Sequence, residues 1–127
     1  MSPVQNQQLY RQAVGELLDR LVAKVGDDLE VVLLYGSVAR GDATPESDID
    51  VMIISRKKEA VYEQAADIRY HNDLKYETLT TLIVTSPEQF EEQLAWGDPF
   101  LAEVLREGEA IYGRERFEDY QRAFQVG

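Results

Sequence analysis

The segment from Gly36 to Asp50 contains residues whose types and spacing suit phosphate and metal chemistry. Gly36 has no side chain, so its backbone can approach a polyphosphate closely, and the Ser37 hydroxyl can donate to phosphate oxygens. Asp48 and Asp50 are separated by one residue, so on an extended strand their side chains point to the same face, about 6 to 7 Å apart. Mg²⁺ prefers oxygen ligands and completes its shell with water and substrate phosphates. The pattern therefore predicts a site for a magnesium-bound nucleoside triphosphate.

Two apolar runs must position these residues. The first, Val31–Tyr35, ends at Gly36, and the second runs from Ile49 to Ile54 and opens with the aspartates. Continuous apolar runs of this length are typical of buried strands, and the residues between them include turn formers. The predicted layout is strand, turn with the start of a helix, loop, strand.

These residues resemble the signature of the polymerase-beta-like nucleotidyltransferase superfamily, in its smallest single-domain form, the minimal nucleotidyltransferase or MNT. The matching segments are Gly36-Ser37-Val38-Ala39-Arg40-Gly41 and Ser47-Asp48-Ile49-Asp50. A match spread over a strand-turn-strand setting is more specific than a lone glycine-rich turn. The resemblance implies an α/β fold with a small mixed β-sheet of three to four strands flanked by helices. It also implies a single domain over residues 1–127.

The resemblance further implies Mg²⁺-dependent transfer of a nucleoside monophosphate from an NTP to a hydroxyl, with ATP the favoured triphosphate. Asp48 and Asp50 would be both catalytic and metal-binding residues. An arginine can neutralise phosphate charge through two parallel hydrogen bonds, although a salt bridge to Asp42 or Glu46 explains Arg40 equally well. The predicted nucleotide-binding residues are Gly36, Ser37, Arg40 and Ser47.

A third carboxylate is the feature that active relatives commonly have and that this sequence does not clearly provide. In those relatives it lies on a neighbouring strand, where it completes the metal site or removes the proton from the attacking hydroxyl. The third predicted strand has no acid between Thr78 and Val84. Glu77, just before it, is the nearest candidate catalytic residue, and Asp73 is more distant.

Two classes of function follow from the resemblance. Many single-domain MNT proteins are antitoxins that pair with a HEPN-type RNase toxin, and some attach AMP to a tyrosine of that toxin. The alternative is a non-catalytic module that binds NTP or masks its partner by contact alone. A third interpretation, also enzymatic, is transfer to a small molecule such as an aminoglycoside, with the acceptor site formed in a dimer.

Composition narrows the choice of partner. The net charge of −11 argues against nucleic acid as the main ligand, because binding to phosphate backbones depends on Lys and Arg. Ten acidic residues and only three arginines lie in residues 86–119, a surface that either attracts a basic protein partner or serves solubility. There is no cysteine, and no stretch approaches eighteen apolar residues. We therefore expect a cytoplasmic protein that forms a homo- or hetero-oligomer and does not use the membrane.

The rest of the chain predicts the elements around this site. Ser86 before Pro87 is typical of a helix N-cap, and Gly97-Asp98-Pro99 should end that helix. Trp96 and Phe100 flank this break, where they either anchor a turn or contact a partner. The predicted helices span 3–26, 58–72, 87–96, 100–108 and 116–124, and the later strands span 78–85 and 110–112.

Overall fold

A computed structural model describes residues 3–124 of the chain as one α/β unit. The helices are α1 (Pro3–Val25), α2 (Gly36–Arg40), α3 (Lys58–Tyr76), α4 (Pro87–Ala95), α5 (Pro99–Glu107) and α6 (Arg114–Ala123). The strands are β1 (Val31–Tyr35), β2 (Ile49–Ile54), β3 (Thr80–Thr85) and β4 (Glu109–Tyr112). A short 3-10 turn, Gly26–Asp28, follows α1.

The four strands form one mixed sheet in the order β3-β2-β1-β4. β1 pairs antiparallel with β2 and β4, whereas β2 and β3 are parallel. Asp50 lies opposite Tyr35 on one side and Thr81 on the other. The end of β1 and the beginnings of β2 and β3 therefore meet at one edge of the sheet.

Helices cover both faces of this sheet. One face packs against α1 and α3 through a buried cluster that includes Leu17, Leu34 and Val51. The other packs against α4, α5 and α6 through a second cluster that includes Met52 and Phe90. Side chains alternate between the two faces along a strand, and Asp50 is two residues before Met52 on β2. Asp50 therefore lies on the same face as Met52, the face covered by α4, α5 and α6.

The predicted α/β architecture with a small mixed sheet is confirmed, and four strands are present in residues 3–124. The predicted Ser86 cap is confirmed as well, since its side chain accepts a hydrogen bond from the Gln89 N–H. The predicted ends of five elements were wrong by one or two residues, as the structure places α1 at 3–25, α4 at 87–95, α5 at 99–107, α6 at 114–123 and β4 at 109–112.

The largest boundary error lies between α3 and β3. α3 runs to Tyr76 rather than ending at residue 72, and β3 begins at Thr80 rather than Thr78. The Asp73 carboxylate explains this, because it accepts hydrogen bonds from the Thr78 hydroxyl at 2.8 Å and from the Thr80 N–H and hydroxyl at 3.0 and 2.7 Å. These bonds hold Thr78 in the helix-to-strand connection.

Within the described part of the chain, no helix combines the length and the apolar character needed to cross a bilayer.

Candidate functional site

Gly36 and Asp50 are in closer contact than any residue with a side chain at position 36 would allow. Gly36 has a φ of +73°, in the left-handed region that favours glycine, and a Cβ built on it would lie 2.1 Å from Oδ2 of Asp50. Since Asp50 pairs with Tyr35 across β1 and β2, the register of the sheet delivers this carboxylate to the turn. Glycine is therefore required both by the backbone conformation and by the acid above it.

The turn after Gly36 is held from both sides. α2 is anchored by Val38, whose side chain is fully buried and whose carbonyl accepts from Gln7 Nε2 of α1 at 2.7 Å. Gly41 ends α2 in the left-handed conformation, with its N–H donated to the Ser37 carbonyl at 3.0 Å. The half-buried Ser37 thus lies in a helical turn fixed against the core, immediately after the Gly36–Asp50 contact.

The loop between α2 and β2 is internally hydrogen-bonded. The Ser47 hydroxyl accepts from the Thr44 N–H at 2.8 Å, and the Ser47 N–H donates to the Thr44 carbonyl at 3.0 Å. That carbonyl also accepts from the Tyr10 hydroxyl of α1 at 2.9 Å. Ser47 therefore has a structural role in shaping the approach to Asp48, whatever its part in nucleotide binding.

The two aspartates lie close enough for each charge to affect the other. Burial raises the pKa of Asp50, and the nearby Asp48 carboxylate raises it further, while Arg40 opposes both. Asp50 is half-buried at the start of β2, whereas Asp48 precedes the strand and is exposed. The same negative charge reaches Tyr35, where burial and then Asp50 raise the phenol pKa to about 12.

A cavity of about 480 Å³ opens at this edge of the sheet. Asp50, Gly36 and Arg40 line it together, so the structure brings these three predicted residues to one place. The ring of Phe100 packs edge-on against Tyr35, with centroids 5.7 Å apart. The remaining lining residues are Thr81, Ile83, Glu103, Val104 and Glu107. The wall therefore combines apolar side chains of β1, β3 and α5 with charged side chains of α2, β2 and α5.

Arg40 connects α2 to the opposite wall. Its guanidinium contacts Asp42 Oδ2 at 3.3 Å and Glu107 Oε2 of α5 at 3.4 Å. Of the two alternatives that the sequence offered, Asp42 or Glu46, the salt bridge to Asp42 is present, and Arg40 also pairs with Glu107. Both bonds are exposed, so a phosphate group can compete with them for the guanidinium.

On the neighbouring strand β3, the residue paired with Asp50 is a threonine. Thr81 is paired with Asp50 in the parallel register of β2 and β3, and it lines the same cavity. Glu77 is exposed at the end of α3, with a left-handed φ of 54°, and it does not line the cavity. Asp73 is committed to the connection before β3. β3 thus places a hydroxyl group, and not a carboxylate, beside Asp50.

Sequence reasoning missed the contribution of α5 to the site. Phe100, Glu103, Val104 and Glu107 follow one another at intervals of three and four residues, which places them on one side of a helix. The sequence predicted a helix there, with Phe100, Leu101, Val104 and Leu105 as its apolar stripe, and did not single out the two glutamates. Only the packing of α5 against β1 shows that its edge also forms the wall facing Asp50.

The donor set at this site fits Mg²⁺ held partly by its substrate. Asp48 and Asp50 are hard oxygen donors whose mutual repulsion a cation would relieve. Among residues 3–124 there is no group of three or more His, Cys, Asp or Glu side chains placed to hold a metal ion. Water and phosphate oxygens would therefore have to supply most of the shell, as is common for Mg²⁺.

Comparison with known proteins agrees with this geometry. The model of the family described as polymerase beta, nucleotidyltransferase matches residues 20–117. A Methanocaldococcus jannaschii protein provisionally named a protein adenylyltransferase is 34% identical over 101 residues, which are 80% of this chain and 96% of that protein.

Solved structures have the same fold at low sequence identity. A protein of Sulfolobus solfataricus, provisionally named a nucleotidyltransferase, superposes with a TM-score of 0.55 and 19% identity, covering 91% of this chain and 90% of that one. A chain of a toxin–antitoxin complex solved with AMP-PNP has a TM-score of 0.53 and 14% identity, covering 87% of this chain and 92% of its own.

Proposed function

Because the chain belongs to the polymerase beta nucleotidyltransferase family, we propose that it transfers AMP from ATP to a hydroxyl of a protein partner. The partner we propose is a HEPN-type toxin, for which this chain would be the MNT antitoxin. The similarity to a protein named for adenylyl transfer to proteins supports the acceptor class. The similarity to a toxin–antitoxin chain solved with an ATP analogue supports both the nucleotide and the pairing.

The observation that carries this proposal is the contact between Gly36 and Asp50. A turn that binds phosphate and a carboxylate that binds metal can act on the same substrate only if they are adjacent. Here they are adjacent, because a Cβ built on Gly36 would lie 2.1 Å from Oδ2 of Asp50. The cavity at that point, of about 480 Å³, falls within the size range of small-molecule sites.

In this mechanism Asp48 and Asp50 would hold Mg²⁺, which would neutralise phosphate charge at the reacting centre. Ser37 and the backbone of Gly36 bind the outer phosphates. Arg40 exchanges its bonds to Asp42 and Glu107 for phosphate oxygens. These contacts align the α-phosphorus with the acceptor hydroxyl.

The reaction itself is a substitution at the α-phosphorus. A bond forms from the acceptor oxygen to that phosphorus, the bond to the bridging oxygen breaks, and pyrophosphate leaves. The hydroxyl proton passes to a carboxylate at the cavity wall, where Asp50, Glu103 and Glu107 are the acids present. Glu77, the acid favoured by the sequence, lies outside this wall and would need to move to take part.

The test is transfer of label from α-³²P-ATP, with Mg²⁺, to the product of the gene that neighbours the one for this chain. We expect the wild-type chain to label that protein and Asp48→Asn and Asp50→Asn to lose labelling while remaining folded. Glu46→Gln, in the exposed loop before the site, is the matched control and should label normally. Labelling that survives both aspartate substitutions would remove them from the mechanism.

A second candidate function is masking of the same partner by contact without transfer. The observation that favours it is Thr81, the residue of β3 paired with Asp50, because it carries no carboxylate. Tight complex formation without label, unchanged by Asp50→Asn, is the outcome that selects this candidate.

A further inference from the structure

A second, smaller cavity lies beside the first one on the same face of the sheet. Its volume is about 200 Å³, and it shares Ile83 and Phe100 with the cavity that contains Asp50. The other lining residues are Met52, Val84, Thr85, Gln89, Gln93, Asp98 and Leu101. The two cavities therefore adjoin at Ile83 and Phe100, and together we call them the cleft, with β3 on one side and α4 and α5 on the other.

The floor of this cleft follows alternate residues of β3. Thr81 and Ile83 line the first cavity, and Ile83 and Thr85 line the second, as expected for side chains on one face of a strand. Thr81 adjoins Asp50 through the register with β2. The distance along the strand from Thr81 to Thr85 is about 13 Å, at about 3.3 Å per residue.

Thr85 carries a polar group that the protein itself leaves unused. The residue is 6% exposed, and among the residues that the structure describes its hydroxyl has no hydrogen-bond partner. A buried hydroxyl without a partner is costly, so such groups point to a ligand or to water. Because Thr85 lines the second cavity, a group bound there would be the nearest partner from outside the protein for this hydroxyl.

The charge around the second cavity favours a cation. Asp98 lines it, and residues 86–107 contain six acidic residues but only Arg106 as a base. Lys58 of α3 approaches the rim, where it donates to Gln89 Oε1 at 2.9 Å. Three of the six acids are paired with arginines, Glu88 with Arg56, Glu103 with Arg106 and Glu107 with Arg40. The other three, among them Asp98 in the cavity wall, favour Lys or Arg side chains of another molecule.

Two exposed aromatic side chains lie between α4 and α5 in the chain. Phe100, which lines both cavities, is 46% exposed although its ring packs against Tyr35, and Trp96, at the end of α4, is 76% exposed. Exposed aromatic residues beside a charged pocket are typical of surfaces that bind proteins.

We propose that this cleft binds an extended segment of the protein acceptor, with a Lys or Arg side chain in the Thr85–Asp98 cavity and the acceptor hydroxyl beside Asp50. The inference rests on the proposed transfer to a protein and adds the recognition rule for that acceptor. At about 13 Å between the two positions, the basic residue lies about four residues from the hydroxyl-bearing one. Phe100, which belongs to both cavities, packs against the residues between them.

The experiment is a titration of the ¹⁵N-labelled full chain with a blocked peptide of sequence Lys-Ala-Ala-Ala-Tyr-Ala-Ala-Ala-Lys, followed by NMR. The lysine on each side of the tyrosine allows either chain direction. We expect chemical-shift changes at Thr85, at the side-chain amides of Gln89 and Gln93, and at the Trp96 indole. A peptide with glutamate in place of both lysines should bind at least tenfold more weakly.

Two variants test the cavity itself. Thr85→Val keeps the shape and removes the hydroxyl, and Gln93→Leu removes a polar wall; each should weaken peptide binding about three- to tenfold. Gln64→Leu, at a half-buried glutamine of α3, is the matched control and should bind like wild type. Equal binding of the lysine and glutamate peptides, binding unaffected by Thr85→Val, or no shifts with either peptide would each overturn the inference.

A separate titration with an ATP analogue and Mg²⁺ keeps the two proposals apart. Nucleotide-induced shifts at Gly36 and Asp50 without peptide shifts in the cleft would leave the proposed function standing and overturn only this inference. Peptide shifts in the cleft without nucleotide shifts would support the cleft as a partner site and overturn the transfer reaction.

Discussion

The carboxylate of Asp50 fills the space in which any side chain on Gly36 would begin. A methyl group at position 36 would lie 2.1 Å from Oδ2 and 3.1 Å from Cγ of Asp50, and φ is +73° there. We expect Gly36→Ala to destabilise the fold by about 2 to 3 kcal/mol and to abolish nucleotide binding, because Asp50 must be displaced. Urea unfolding and calorimetric titration with an ATP analogue measure the two effects.

Gly41, at the other end of α2, provides the control for this substitution. Its φ is also positive, at +84°, but nothing lies within 4 Å of a Cβ built on it. Gly41→Ala should therefore show the backbone strain alone, about 1 kcal/mol, with nucleotide binding retained. In an Asp50→Ala background, the loss in free energy of unfolding caused by Gly36→Ala should fall to that same value. Equal costs for both glycines in the wild-type background would contradict the role given to the Gly36–Asp50 contact.

Thr81 provides a direct test of the missing third acid. It is paired with Asp50 in the parallel register, so Thr81→Asp places a carboxylate beside the existing one. We expect on the order of tenfold tighter binding of Mg²⁺ or Mn²⁺, because an added oxygen ligand and charge strengthen a hard-cation site. Without metal, the variant should be less stable than wild type, since the new charge faces Asp50.

Thr81→Asn separates charge from shape in the same experiment. The amide has nearly the size of the carboxylate but adds no charge, so metal binding should stay close to wild type. Metal binding that is the same for Thr81→Asp and wild type would show that β3 cannot contribute a ligand to this site.

The sequence predicted the central part of the fold because the signals there are local. The apolar runs of β1 and β2, the Gly36 turn and the Ser86 cap each depend on a few adjacent residues, and each was predicted at its observed place. The junction of α3 and β3 was misplaced because its geometry depends on Asp73 bonding to residues five and seven positions later. Helix propensity alone does not show such a competing side-chain interaction.

The far wall of the candidate site could not be predicted for a related reason. Phe100 and Glu107 reach Gly36 and Arg40 only through the packing of α5 on the sheet, a contact between residues more than sixty positions apart. The periodicity of α5 showed that one side is buried, but not what lies opposite its edge. The acids that face the substrate from α5 were therefore seen only as part of a general acidic surplus.

The bond between Arg40 and Glu107 predicts how nucleotide binding responds to a charge change on α5. Removing the Glu107 charge frees Arg40 from one of its two carboxylates and lowers the repulsion felt by a triphosphate. We expect Glu107→Gln to bind an ATP analogue about two- to fivefold more tightly, the range that exposed ion pairs allow, with less gain at high salt.

Glu109→Gln is the matched control for this prediction. Glu109 also pairs with an arginine, Arg11, at 2.8 Å, and its side chain is similarly exposed, but it does not line the cavity with Asp50. Its substitution should leave nucleotide affinity unchanged. A weaker or unchanged affinity for Glu107→Gln would mean that Glu107 holds Arg40 in its binding position rather than competing for it.

Glu16 joins α1 to α3, and its ionisation predicts how stability depends on pH. Its Oε1 accepts from Lys75 Nζ at 2.7 Å and from the Tyr76 hydroxyl at 2.6 Å, and Arg20 contacts the other oxygen. The hydrogen bond from Lys75, followed by the one from Tyr76, lowers the pKa of Glu16 from 4.5 to about 2. The folded protein therefore releases this proton more readily than the unfolded chain does.

A carboxyl with a lowered pKa in the folded state stabilises the protein above its unfolded pKa and loses that effect as the pH falls. Wild type should therefore be more stable than Glu16→Gln at pH 5 and above, and the difference should shrink between about pH 4.5 and 2. Urea unfolding of both proteins across this range measures it. Lys75→Met should reduce the pH-dependent part without removing it, because the Tyr76 hydroxyl still donates to Glu16. A difference between wild type and Glu16→Gln that stays constant from pH 6 to pH 2 would show that the contact acts through packing rather than through its charge.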